Sequence, residues 1–168
     1  MEIRHENHVL YAFNCSGDRG VRVVSFLIAY ASWSGNTQEV AELITESLQS
    51  EGVEVDTYRI GIGVIPNVKE YDALCIGSLT WEKGATPDEV KDFVADVGYK
   101  PELVYVFGTG DTQFGGDDLF CKAADKLAKF YHSPFDPLKI EQSPRGIQEQ
   151  TVTNWTKGVL EHWRHLQE

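Results

Sequence analysis

The sequence predicts a doubly wound α/β fold, in which a five-stranded parallel sheet of strand order 2-1-3-4-5 carries helices on both faces. Two observations support this prediction. Apolar segments of strand length alternate along the chain with amphipathic segments of helix length. The first, third and fourth apolar segments are continuously apolar, as central strands covered on both faces must be, whereas the second and fifth alternate, as edge strands can.

The predicted strands occupy residues 23–30, 53–58, 73–77, 103–107 and 138–141. The first predicted helix begins near Thr37 and is closed by Gly52. The second opens with Thr86-Pro87-Asp88-Glu89, which has the pattern of a capping box with proline at the first helical position. The third and fourth carry apolar stripes at helical spacing over residues 120–131 and 148–166.

Length and charge limit the possible functions. The 168 residues suit one domain, which we place at residues 21–168 behind a poorly ordered N-terminal extension of residues 1–20. The net charge of −11 argues against nucleic acid and membrane surfaces as partners and fits docking against basic protein surfaces. The three widely spaced cysteines imply neither a disulfide framework nor a metal site. With no transmembrane stretch in the sequence, we expect a cytoplasmic monomer.

The most informative segment is the turn after the first strand, Ser32-Trp33-Ser34-Gly35-Asn36-Thr37. It presents hydroxyl groups and backbone N–H groups at a helix N-terminus, where an anion is favoured. No Lys or Arg lies between residues 23 and 58, so neutral donors alone would hold that anion. The chain contains neither a P-loop nor a complete GxGxxG motif. The same residue types also favour plain helix starts, so this turn does not decide the function by itself.

Two later loops add aromatic side chains. Residues 78–85 follow the third strand and contain Trp81, and residues 108–117 follow the fourth strand and contain Phe114. In a sheet of this order, ligands bind outside the carboxyl ends of the strands at the point where the strand order reverses. Two aromatic rings beside an anion cradle describe a slot for a planar ring that carries a phosphate tail. The alternative is that both rings are buried loop anchors.

These residues resemble the flavodoxin family. The run from Tyr30 to Thr37, followed by Val40-Ala41, is similar to the phosphate-loop signature of that family. Thr80-Trp81 with Gly84 and Pro87 resembles its second flavin loop, and the run from Phe107 to Asp111 followed by Phe120-Cys121 resembles its third. The resemblance covers residues 21–166 and leaves no room for the insertion of long-chain members, so the chain is similar to short-chain flavodoxins.

The resemblance implies a flavodoxin-like protein that binds FMN non-covalently, with no catalytic residue and no metal ligand. It would carry electrons at low potential between a flavodoxin reductase and acceptor enzymes. Trp81 would flank one face of the flavin and Phe114 the other, where the family commonly has tyrosine. The implied cofactor-binding residues are Ser32, Trp33, Ser34, Gly35, Asn36, Thr37, Ser78, Thr80, Trp81, Glu82, Gly84, Gly108, Thr109, Gly110, Asp111 and Phe114.

Three other functions share this topology. A flavodoxin-like activator of ribonucleotide reductase stays open as the alternative, although Trp81 and the chain length count against it. A phospho-accepting receiver domain would need Asp after the third strand and Lys after the fifth, where Ser78 and Glu141-Gln142 stand. A flavin-dependent quinone reductase would be an enzyme, but the chain lacks the longer substrate loops that such enzymes carry.

Overall fold

The computed structural model describes residues 2–5, 8–12 and 21–168 and places their strands in two sheets. The first three strands, β1 (Glu2–His5), β2 (His8–Ala12) and β3 (Val21–Val23), form a small antiparallel sheet of order β1-β2-β3. Sequence periodicity did not predict these short strands. Residues 1, 6, 7 and 13–20 lie outside the described part, so the poor order expected for residues 1–20 stays a prediction.

The second sheet is the parallel sheet that the sequence predicts. Its strands are β4 (Ser25–Tyr30), β5 (Glu54–Arg59), β6 (Ala73–Leu79), β7 (Val104–Gly110) and β8 (Leu138–Glu141). Every neighbouring pair is parallel and the spatial order is β5-β4-β6-β7-β8. This order is 2-1-3-4-5 when the five strands are counted along the chain, so the predicted topology is confirmed. The strand order reverses between β4 and β6.

Helices cover both faces of this sheet. The helices are α1 (Asn36–Ser50), α2 (Asp88–Val97), α3 (Gly116–Leu119), α4 (Lys122–Tyr131) and α5 (Ile147–Gln167). Apolar residues of α1 and α5 pack on one face and form a core cluster with β4, β7 and β8. Residues of α2 and α4 form a second cluster on the opposite face. The two buried layers hold the sheet from both sides, so the loops at its carboxyl edge start from fixed strand ends.

The start of α2 differs from the predicted capping box. The helix begins at Asp88, and no side chain caps it. Instead of returning to Thr86, the Glu89 carboxylate accepts a hydrogen bond from the indole N–H of Trp33, with Nε1 and Oε1 separated by 2.5 Å. The capping-box prediction is therefore wrong, because the Glu89 carboxylate bonds to Trp33, which is distant in sequence, and not to the backbone at the start of the helix.

Within the described residues, no helix combines the length and the apolar composition that crossing a membrane would require.

Candidate functional site

The loops after β4, β6 and β7 meet at the carboxyl edge of the parallel sheet. Hydrogen bonds tie each loop to its neighbour: the N–H of Ala31 donates to the Gly77 carbonyl (3.0 Å), and that of Thr80 donates to the Thr109 carbonyl (3.2 Å). The hydroxyls of Thr37 and Thr109, both buried, lie 2.7 Å apart across the cleft between α1 and β7. The three sequence segments predicted to share a site are thus brought together.

The first loop is organised by Ser32. Its buried hydroxyl oxygen accepts hydrogen bonds from the backbone N–H groups of Gly35 (3.2 Å) and Gln38 (3.3 Å). Gly35 adopts φ = 95°, a left-handed conformation that glycine takes at little cost. Since the Ser32 oxygen accepts both bonds, its own O–H remains able to donate to a ligand.

Backbone donors of the same loop lack protein acceptors. The N–H groups of Trp33, Ser34, Asn36 and Thr37 find no hydrogen-bond acceptor among the described residues. The first N–H groups of a helix are left without intrahelical partners, and the positive end of the helix dipole lies beside them. This donor set fits the terminal phosphate of a cofactor, which brings several acceptor oxygens and negative charge.

Sequence reasoning missed one cation beside this loop. The guanidinium of Arg59, the last residue of β5, donates to the backbone carbonyl of Ser32 at 2.7 Å. Arg59 is paired in register with Tyr30, the last residue of β4, so the alignment of the two strand ends was the signal that could have found it. The expectation that neutral donors alone hold the anion stays a prediction, and Arg59 adds a positive charge that braces the backbone of the loop.

Two tryptophans lie together at the mouth of the site. The ring centroids of Trp33 and Trp81 are 4.6 Å apart with an interplanar angle of 64°, an edge-to-face contact. Each side chain is 50% exposed. The structure places Trp81 beside Trp33 of the first loop, and the assignment of Trp81 to one face of a flavin stays a prediction. Its partner, Trp33, belongs to the first loop, and the contact between the two side chains was not predicted from the sequence.

The second loop makes a tight turn after Trp81. Backbone hydrogen bonds in both directions join Trp81 to Ala85, at 2.9 and 3.2 Å. Within this turn the left-handed residues are Lys83 (φ = 55°) and Gly84 (φ = 78°), and Glu82 is not among them. The ammonium group of Lys126 donates to the Gly84 carbonyl at 2.7 Å, so α4 holds the turn from below.

Two polar residues of the second loop are engaged by the protein. Ser78 is fully buried and its hydroxyl donates to the Leu79 carbonyl (2.7 Å). The Thr80 hydroxyl oxygen accepts the N–H of Ala123 (3.1 Å) near the start of α4. Both residues lie at the carboxyl end of β6, and their assignment to a cofactor stays a prediction.

The third loop combines close packing with an exposed aromatic ring. A Cβ atom at Gly108 would lie 2.8 Å from the Cβ of Ala124, and one at Gly110 would lie 2.9 Å from the backbone nitrogen of Cys121, so these glycines let α4 approach β7. Asp111 accepts hydrogen bonds from the Gln113 N–H and the Gln142 amide. Phe114 is 78% exposed.

Phe114 stands apart from the other two aromatic side chains of the site. Among the described residues, no ring contact joins Phe114 to Trp81. The structure thus brings Trp81, but not Phe114, against the phosphate loop. A role of Phe114 on the outer flavin face stays a prediction.

The shifted pKa values around the site come from burial and from one ion pair. Burial raises the pKa of the Cys75 and Cys121 thiols to about 12, which leaves them protonated at neutral pH. The hydrogen bond from Arg145 lowers the pKa of the Glu39 carboxyl. The two residues form an exposed ion pair that links the first turn of α1 to the segment before α5. The described residues include no group of three or more His, Cys, Asp or Glu side chains arranged to hold a metal ion.

Comparisons with known proteins agree with this geometry. The family model described as Flavodoxin matches residues 28–163. The probable flavodoxin 2 of Bacillus subtilis is 34% identical over 142 residues, which covers 79% of this chain and 92% of that protein. The crystal structure of oxidised flavodoxin 2 from Bacillus cereus superposes with a TM-score of 0.71 at 32% identity, covering 83% of this chain and 99% of that one.

A more distant structural neighbour was solved with a bound flavin. A mutant of the Fusobacterium nucleatum flavodoxin bound to flavin mononucleotide has a TM-score of 0.62 at 14% identity, over 82% of this chain and 96% of that one. At this identity the likeness concerns the fold alone.

The doubly wound parallel sheet, with loop N–H groups at its strand-order reversal that are unpaired within the described residues and a tryptophan beside them, fits a flavoprotein of the electron-transport class. The chain belongs to the flavodoxin family, whose members are flavin-binding electron-transfer proteins.

Proposed function

We propose that this protein is a short-chain flavodoxin that binds FMN non-covalently and carries single electrons at low potential. The electrons pass from a basic-surfaced flavodoxin reductase to acceptor enzymes, and the protein acts as a cytoplasmic monomer. The observation that carries the proposal is the set of four loop N–H groups, those of Trp33, Ser34, Asn36 and Thr37, that find no acceptor among the described residues, next to the Trp81 ring. FMN supplies the redox chemistry when bound.

The residues of the first loop would hold the phosphate of FMN. The hydroxyls of Ser32, Ser34 and Thr37 and the loop amides can each donate to a phosphate oxygen. A hydrogen bond to a charged group contributes about 1.5–3 kcal/mol, so a few of them suffice for tight binding. Arg59 supports the loop from behind through the Ser32 carbonyl, and its positive charge offsets part of the negative charge of the protein.

The ring of FMN would lie against Trp81, which excludes water from one flavin face. A protein that only transfers electrons needs no acid, base or nucleophile, which agrees with the protonated, buried thiols of Cys75 and Cys121. The net charge of −11 supports docking to partners with basic surfaces, and such docking weakens as salt rises.

The experiment is a reconstituted electron-transfer assay. The FMN-loaded protein is mixed with NADPH, a bacterial flavodoxin reductase and cytochrome c, a basic electron acceptor. We expect cytochrome c reduction that depends on both the reductase and this protein and that slows with added salt. A rate equal to that without this protein, in a preparation that holds FMN, would contradict the carrier function.

A further inference from the structure

The indole of Trp33 has no assigned task in the proposed site. The phosphate loop needs the backbone of this residue, and any side chain would supply the same N–H group. Yet the ring reaches across to Trp81, with the two centroids 4.6 Å apart in an edge-to-face arrangement. Such pairs contribute beyond the area that they bury. Both rings are half exposed, so burial in the core does not explain their contact.

Glu89 holds the other end of the Trp33 ring. Its Oε1 accepts the indole N–H at 2.5 Å, and a carboxylate acceptor makes this a charge-assisted hydrogen bond. Glu89 lies in the first turn of α2 and is partly buried. Asp88 beside it is exposed and pairs with Lys91 at 3.4 Å. A Cβ atom at Gly61 would lie 3.7 Å from Glu89 Oε2, so the loop after β5 borders the carboxylate on its other side.

We propose that Glu89 is a positioning residue, which fixes the Trp33 ring and, through it, the ring of Trp81 against which the cofactor lies. This inference rests on the proposed FMN function. An exposed indole that is free to change rotamer must be ordered when a ligand binds, which weakens affinity. The Glu89–Trp33–Trp81 chain orders the ring beforehand. It also explains why Glu89 does not complete a capping box with Thr86.

The first test observes the two indoles without any flavin. Two indoles in contact couple electronically and give a pair of circular dichroism bands of opposite sign in the far-ultraviolet. In the full-length chain freed of flavin, we expect Trp33→Phe and Trp81→Phe each to abolish this signal, while Trp155→Phe, whose ring packs on Phe135, leaves it intact. Glu89→Ala should diminish the signal, and Glu89→Gln should keep most of it, because the amide oxygen still accepts the indole N–H.

The second test measures FMN affinity by quenching of flavin fluorescence. We expect Glu89→Ala to weaken FMN binding about three- to tenfold, the range for a disordered aromatic pair. Glu89→Gln should bind within about twofold of the parent. Asp88→Ala is the matched control, since it removes the same charge from the same helix turn and should leave both the affinity and the indole signal unchanged.

The outcomes separate this inference from the proposed function. Parental affinity and parental indole signal in Glu89→Ala would overturn the inference and leave the FMN function standing. Tighter FMN binding by Trp33→Ala would also overturn it, because Trp33 would then occupy the place of the flavin. A parent chain that binds no FMN would overturn the proposed function, and with it the assigned role of Glu89 toward the cofactor.

Discussion

Replacement of Thr37 by valine should weaken FMN binding by one to two decades while changing riboflavin binding little. Thr37 is the second residue of α1, directly after the first loop, and the residue as a whole is 1% exposed. Loss of one hydrogen bond to a charged group costs about 1.5–3 kcal/mol, and each 1.4 kcal/mol is a factor of about ten in affinity. Riboflavin lacks the phosphate, so this contribution is absent from its binding.

The same substitution also acts on the folded protein without cofactor. The Thr37 and Thr109 hydroxyls are partners at 2.7 Å, and both are buried. Valine at position 37 leaves the Thr109 hydroxyl without that partner, which should lower the free energy of unfolding by about 1–3 kcal/mol. Thr37→Ser keeps the hydroxyl and is the matched control. Ser34→Ala removes an exposed hydroxyl of the loop and should weaken FMN binding without this loss of stability.

The assay is a fluorescence titration of the flavin-free protein with FMN and with riboflavin, together with urea unfolding of each variant. We expect the ratio of the two dissociation constants to change in Thr37→Val and Ser34→Ala and to stay near the parent value in Thr37→Ser. Equal weakening of FMN and riboflavin would refute the reasoning, since the phosphate would then be held elsewhere.

Three further predictions concern the fold that supports the site. Gly77→Ala should unfold at clearly lower urea than the parent, because its Cβ would lie 2.2 Å from the Phe107 ring; an unchanged urea midpoint would contradict the packing. Lys83→Gly should raise the free energy of unfolding by about 1 kcal/mol in the same assay, since the lysine adopts the strained φ of 55°. A loss of stability would contradict this, because the lysine side chain would then contribute more than the backbone strain costs. Burial raises the pKa of the Cys75 and Cys121 thiols from 9.0 to about 12, so folding favours the protonated thiols. The free energy of unfolding should therefore be constant below pH 9 and fall as the pH rises toward 12. Urea midpoints across that range check the pH dependence, and iodoacetamide labelling of either thiol in the folded protein at neutral pH would contradict it.

The sequence predicted the parallel sheet because strands that are buried on both faces need apolar side chains at nearly every position. Residues 23–30, apart from Ser25, and residues 73–77 are apolar throughout, and that pattern distinguishes central from edge strands. The small N-terminal strands show no such apolar pattern. Glu2–His5 is four residues long and mixes charged with apolar residues, and His8–Ala12 is only five residues long, so local patterning does not separate them from coil.

The meeting of the three loops was predicted from the strand order, whereas individual contacts between them were missed. The assignment of the first loop to a phosphate and of Trp81 to a flavin face stays a prediction. The contacts of Arg59 with Ser32 and of Glu89 with Trp33 join residues 27 and 56 positions apart. The local pattern predicted a capping box at Glu89, and only the packed structure shows that its carboxylate accepts the indole N–H of Trp33.

The backbone of the second loop was also beyond sequence reasoning. Glu82 and Gly84 were both expected to lie next to the flavin, and the backbone conformation of the loop was not predicted. In the structure the left-handed conformations fall on Lys83 and Gly84, since the hydrogen bonds between Trp81 and Ala85 close the turn around them. Nothing in the local sequence distinguishes lysine at that position from an ordinary turn residue.

The central claim, that this chain is an FMN-binding electron carrier, is tested most directly by the visible absorption spectrum of the purified full-length protein during reduction with dithionite. We predict the absorption of an oxidised flavin at one FMN per chain, either as purified or after FMN is added, and its bleaching in two successive one-electron steps. A colourless protein whose spectrum and fluorescence do not change when FMN is added would contradict the account.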